Sequence, residues 1–118
     1  MRNFKQLKIW NKGFEIAVKS FKFVQSFPKE EKFGLASQLT RCAVSVPSNI
    51  AEGHTREHLK EYLHHLSMAQ ASLAEVETQL EIGVRLDYIS RDQFSKVLSE
   101  ISGLGKQLYA LRNALIRV

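Results

Sequence analysis

The sequence predicts an all-α protein, an up-down-up-down antiparallel four-helix bundle, on three observations. Apolar residues recur with alternating steps of three and four, which is the spacing of one face of a helix. The 118 residues include only 2 prolines and 6 glycines. Short connections separate the apolar stripes, and short connections favour antiparallel neighbours with coiled-coil-like packing. At this length, we expect residues 1–118 to form a single domain.

Each predicted helix is defined by one apolar stripe. The first stripe is Leu7, Trp10, Phe14, Ala17, Phe21 and Val24. After a break at Pro28, the second is Ala36, Leu39, Ala43, Val46, Ile50 and Gly53. The third is Leu59, Tyr62, Leu66, Ala69, Leu73, Val76, Leu80 and Gly83, and the fourth is Phe94, Val97, Ile101, Leu104, Leu108, Leu111, Leu115 and Val118. Gly53 is predicted to end the second helix, with Thr55 as a cap for the third, and Ser90 with Gln93 predicts a capping box before the fourth.

A proline interrupts the second stripe, in the segment RCAVSVPSNIAEG at residues 41–53. The apolar spacing keeps its phase through Pro47, which indicates one continuous helix that is kinked there. Proline lacks an amide proton, so the kink would free the carbonyl of Ala43. The alternative is a helix that ends near Val46 and restarts with Pro47 in its first turn.

A second apolar line runs along the first helix outside its stripe, at Ile9, Ile16 and Phe23. These residues are seven apart and therefore share a face. A monomer rarely leaves a contiguous apolar strip in water, so the line predicts a subunit interface. The alternative is a core stripe that is simply wider.

Positive charge is concentrated at the two ends of the chain, which has a formal net charge of +5. Residues 1–27 carry six basic side chains and one acidic side chain. Lysines repeat by three, four and seven along the first helix and predict a basic ridge, which can contact phosphates through counterion release. The alternative is a solubilising outer face. The candidate nucleic-acid contacts are Arg2, Lys5, Lys8, Lys12, Lys19, Lys22, Arg41 and Arg56.

Catalytic and metal-binding patterns are missing from the sequence. It has no Gly-rich phosphate loop and no nucleophile elbow, and its histidines accompany neither an HExxH motif nor a cysteine pair. We therefore expect no enzymatic activity, no metal and no cofactor. The single cysteine, Cys42, suits a buried reduced thiol. The charged N-terminus is unlike a secretory signal and no apolar run could span a membrane, so we expect a cytoplasmic protein.

The run QLTRCAVSVPSNIAEGHTR, followed by YLHHLSMAQASLAEVETQLEIGVRLDYIS, closely resembles the 23S rRNA intervening-sequence proteins. The matching positions include Arg41, Pro47 and Asn49, and the resemblance covers nearly the whole chain. Ala71 and Asp87 stand where that family usually has glycine. The resemblance implies a four-helix subunit that assembles as a homopentamer without enzymatic activity. A similar protein, the accessory variability determinant of diversity-generating retroelements, is a basic pentamer that binds nucleic acid.

A group of polar residues follows the proline at successive spacings of three and four residues: Asn49, Glu52 and Arg56. They are predicted to form a structural polar cluster that stabilises the end of the second helix. The alternative is a polar rim that contacts RNA or a partner. Two functions remain open on the sequence: a basic scaffold that binds structured RNA or DNA, or a module that recruits a partner protein.

Overall fold

Four long helices form the bundle in the computed structural model, which describes residues 3–117. They are α1 (Lys8–Val24), α2 (Leu35–Thr55), α3 (Leu59–Arg85) and α4 (Arg91–Ile116). Short 3₁₀ helices at Phe4–Gln6 and Lys29–Glu31 precede α1 and α2. Helices α2 and α4 each contact both α1 and α3, so α1 and α3 lie diagonally opposite. The predicted fold class is confirmed. Arg2 and Val118, which the sequence predictions include, lie outside the described residues.

The core is built from the stripes predicted for α2, α3 and α4. Leu39, Val46 and Ile50 of α2 are fully buried, as are Leu66 and Leu80 of α3. From α4, the core receives Phe94, Val97, Ile101, Leu104 and Leu108. The predicted capping box is present, because the Ser90 hydroxyl accepts from the Gln93 amide while the Gln93 side chain accepts from the Ser90 amide.

Helix α1 turns a different face to the core from the one that the sequence predicted. Ile16 is 0% exposed and Ile9 is buried, whereas Phe14 and Phe21 of the predicted core stripe are 48% and 46% exposed. Phe23 is half-buried and packs against the core. The assignment of Ile9, Ile16 and Phe23 to a subunit interface is therefore wrong, because these side chains are covered by their own chain.

Helix α2 continues without interruption past Pro47, which is buried in its interior. This excludes the alternative of two separate helices, while the kink stays a prediction. The Asn49 side chain donates to the carbonyl of Ser45, at 2.9 Å, rather than to that of Ala43. The prediction that α2 ends at Gly53 is wrong, because the helix runs on to Thr55. The prediction that Thr55 caps α3 is also wrong. The N-cap residue of α3 is His58, and its side chain makes no capping hydrogen bond.

Gly53 lies where α2 and α3 come closest. A Cβ atom built on Gly53 would lie 2.7 Å from the Cβ of His65 and 3.1 Å from Cδ1 of Tyr62. The Cβ of His65 is fixed to its helix and cannot move aside by rotation of the side chain. The absence of a side chain at Gly53 thus sets the separation of the two helices.

We expect Gly53→Ala to destabilise the protein by about 1–3 kcal/mol, because overpacking outweighs the gain of about 1 kcal/mol in helix propensity. The matched control is Gly103→Ala in α4, where a new Cβ would meet nothing within 4 Å. That variant should be stabilised by up to about 1 kcal/mol. Urea denaturation measures both changes. Equal stabilisation of the two variants would contradict the close approach at Gly53.

Candidate nucleic-acid interface

The N-terminal end of α1 carries a cluster of basic side chains. Lys5, Lys8 and Lys12 are exposed there. Helix α1 has no side-chain cap and no acidic residue in its first turn, so the positive end of its dipole is not neutralised locally. Within residues 3–117, none of these three ammonium groups has an ion-pair partner. This end of the helix is therefore suited to attract an anion.

A cleft of about 690 Å³ joins this end of α1 to the end of α2. It is lined by the charged residues Lys8, Arg56 and Glu57 and by apolar residues that include Leu7, Leu111 and Leu115. The structure thus brings together two of the candidate nucleic-acid contacts. The charge of Arg56 is largely compensated, because its guanidinium lies 3.0 Å from Glu52 and 3.4 Å from Glu61.

The other predicted contacts are distributed elsewhere. Lys19 forms an ion pair with Glu100 of α4, so its charge is partly neutralised. Lys22 is exposed at the edge of an apolar groove between α1 and α2. It lies about 21 Å from Lys8 along the helix axis, at 1.5 Å per residue. Arg41 lies in a separate groove between α2 and α3. The lysines therefore form a row, but only Lys5, Lys8 and Lys12 lie at the uncapped N-terminal end of α1.

The polar residues after Pro47 form a hydrogen-bonded cluster that links α2 to α3. Asn49 is buried and donates to both the carbonyl and the hydroxyl of Ser45, each at 2.9 Å. Its carbonyl oxygen lies 3.0 Å from Nδ1 of His65 on α3. His65 also lies 3.6 Å from Glu52, which pairs with Arg56. The predicted cluster thus also includes His65. The spacing of residues along α2 could not predict this, because His65 belongs to α3.

Cys42 is buried against the same two helices. Burial, reinforced by the negative charge of Glu75, raises the pKa of its thiol from 9.0 to about 11. The thiol is therefore neutral at physiological pH and a weak nucleophile. The described part of the chain contains no group of three or more histidine, cysteine or acidic side chains that could hold a metal ion.

An apolar groove of about 540 Å³ separates α1 from α2 on the outside of the bundle. Phe14, Val18 and Phe21 of α1 are partly exposed along it, and Val44 of α2 is partly exposed on the opposite wall. Trp10 extends the apolar surface by stacking on Phe14, with ring centroids 5.1 Å apart. The exposed apolar surface of α1 therefore lies on a different side from the predicted line of Ile9, Ile16 and Phe23.

The fold and these surfaces define a small helical-bundle protein with a basic helix end and an exposed apolar groove. The chain belongs to the 23S rRNA-intervening sequence protein family, whose sequence model matches residues 5–110. Its fold is similar to that of a Bacteroides thetaiotaomicron VPI-5482 protein of unknown function from the S23 ribosomal protein family. The TM-score is 0.79 at 24% identity, covering 88% of this chain and 97% of that chain. No curated protein matches the sequence. Between residues 3 and 117, no helix is long and apolar enough to cross a membrane.

We expect Asn49→Ala to lower stability by about 1–3 kcal/mol, because it removes a buried group that holds hydrogen bonds to Ser45 and His65. Nucleic-acid binding should be unchanged, since Asn49 is buried. Ser48→Ala is the matched control, an exposed position on the same helix. Thermal melting and a binding titration check both. A variant with unchanged melting and weaker binding would instead make the cluster a contact surface.

Proposed function

We propose that this protein is a non-enzymatic helical scaffold that binds structured RNA or DNA through phosphate contacts at the N-terminal end of α1. The observation that carries the proposal is the combination of three unpaired lysines, Lys5, Lys8 and Lys12, with an uncapped helix end. Lysine ammonium groups bind phosphates as point charges, and the amide groups of a helix N-terminus favour the same ligand.

Binding of this kind reads the backbone rather than the bases. Each phosphate neutralised by a lysine releases condensed counterions, so affinity falls steeply as salt rises. The aromatic rings beside the lysines, Phe4 and Trp10, contact each other edge to face, with ring centroids 5.4 Å apart. The interaction should therefore depend weakly on sequence.

A triple variant, Lys5→Gln with Lys8→Gln and Lys12→Gln, tests this proposal. Binding of a labelled RNA hairpin and a matched DNA duplex is titrated at several salt concentrations. We expect the slope of log affinity against log salt to decrease in magnitude by roughly 2 to 3, about 0.9 for each phosphate that is no longer neutralised. Adding Lys19→Gln and Lys22→Gln should change the slope less per lysine, because Lys19 is already paired with Glu100.

The control triple, Lys29→Gln with Lys32→Gln and Lys106→Gln, removes the same charge from exposed positions elsewhere. It should leave the slope close to that of the unmodified protein. Equal reductions of the slope in the two triples would attribute binding to net charge alone. An absence of binding at low salt would remove the nucleic-acid proposal.

We further propose that copies of the chain associate through the apolar groove between α1 and α2, as a homopentamer by resemblance to the family. Exposed apolar surface of this extent is unusual on a monomer. The outer face of α3, on the far side of the bundle, carries exposed small or uncharged residues at Ala71, Ala74 and Thr78. Bulky residues on one side and small residues on the other suit a head-to-tail contact, which closes into a ring when the rotation permits.

The competing function is a module that recruits a different protein, and the same apolar groove would be its docking surface. Its occupant would then be a partner helix rather than a second copy. Salt separates the two functions, because an apolar contact is maintained or strengthened at high salt whereas phosphate contacts weaken. A cytoplasmic location suits either function, because Cys42 is a buried free thiol that requires no oxidising compartment.

We expect Val18→Glu combined with Phe21→Glu to convert the oligomer to monomers, because two carboxylates would have to be buried in the contact. Sedimentation velocity measures the mass. The control is Tyr109→Glu, which places a carboxylate at an exposed aromatic position on α4. A monomeric unmodified protein would refute self-association and leave the groove to a different partner.

A further inference from the structure

A second, polar groove of about 440 Å³ lies between α2 and α3. Gln38, Arg41 and Ser45 of α2 face Ser72, Glu75 and Gln79 of α3 across it. The hydroxyl groups of Ser45 and Ser72 are joined by a hydrogen bond of 2.9 Å. The nucleic-acid proposal does not use this groove, and its volume is in the range of small-molecule sites.

Two opposite charges face this groove without pairing. Arg41 lies one helical turn before Ser45, and Glu75 lies one turn after Ser72 on the antiparallel helix. The contact between the two serines therefore sets the charges at a similar level on opposite walls. In the described part of the chain, neither Arg41 nor Glu75 has an ion-pair or hydrogen-bond partner. The groove has one free cation and one free anion, so it is poorly suited to a polyanion.

The pair of serines also has one hydroxyl proton to spare. The Ser45 hydroxyl accepts from the Asn49 amide and from Ser72, both at 2.9 Å. Two hydroxyl protons are present and the contact between the serines uses one, whichever hydroxyl donates. No other acceptor for these hydroxyls occurs between residues 3 and 117. Because Ser72 donates in this contact, the free donor is the hydroxyl of Ser45, which is half-buried and lines the groove.

We propose that the groove binds a free α-amino acid. Its carboxylate accepts hydrogen bonds from the Arg41 guanidinium and from the spare serine hydroxyl, and its ammonium group donates to the Glu75 carboxylate. The side-chain amides of Gln38 and Gln79 flank these contacts, so a polar ligand side chain is favoured. A phosphate ion would satisfy the donors equally well, but it would be repelled by Glu75.

Isothermal titration calorimetry of the full chain tests the proposal with L-glutamine and L-serine as probes. We expect saturable binding of one ligand per subunit. N-acetylation removes the ammonium charge of the probe and amidation removes the carboxylate charge. Each blocking group should weaken binding at least tenfold, as should Arg41→Gln or Glu75→Gln. Both positions are exposed, so the variants should fold, which circular dichroism verifies.

Matched controls are Glu77→Gln on the same helix, which faces a different groove, and Arg117→Gln at the end of α4. Both should bind the probes as the unmodified protein does. The proposal is overturned if no probe binds, if the N-acetylated probe binds equally well, or if inorganic phosphate binds more tightly than the amino acids. The triple variant of Lys5, Lys8 and Lys12 should retain amino-acid binding, which separates this proposal from the nucleic-acid one.

Discussion

The close approach of α2 to both of its neighbours is the constraint on which the rest of the bundle depends. On one side, a Cβ on Gly13 of α1 would lie 3.2 Å from Val46, next to the backbone of Pro47. On the other side, Gly53 meets His65 of α3. These short separations bring Asn49 within hydrogen-bond distance of His65. A buried polar group costs stability unless it is paired, so the cluster and the helix spacing require each other.

The sequence predicted three of the four helix faces because their apolar residues form one line each. Helix α1 carries two such lines, and hydrophobicity cannot distinguish them. The core side also contains Gly13 and Ser20, which are small and carry no apolar signal, although Ser20 is fully buried with its hydroxyl bonded to the carbonyl of Ile16. The face that α1 turns to the core depends on having a small residue, Gly13, against α2. This requirement arises from the packing of two helices and cannot be read from α1 alone.

The candidate sites were likewise predictable only where their residues lie close together in the chain. The part of the lysine row from Lys8 to Lys22 was predictable because its spacing is local to one helix, whereas Lys5 lies in the preceding 3₁₀ helix. The pairing of Lys19 with Glu100 joins residues 81 apart in the chain, and the contact between Ser45 and Ser72 joins residues 27 apart. Polar groups on different helices have no regular spacing in the sequence that would predict their contact. The polar groove therefore follows only from the placement of the helices.

The three faces of α1 explain how assembly and phosphate binding can coexist. The core face lies between the lysine row, which reaches α4 through Lys19 and Glu100, and the apolar side, which adjoins α2 through Phe14, Val18 and Phe21. A subunit contact on the apolar side would leave Lys5, Lys8 and Lys12 accessible. Each added subunit would then contribute another set of lysines to the same nucleic acid, and linked weak contacts gain affinity through effective concentration. On the proposed function, separation of the two faces on one helix would therefore let a small chain gain avidity without enlarging the phosphate-binding site of each subunit.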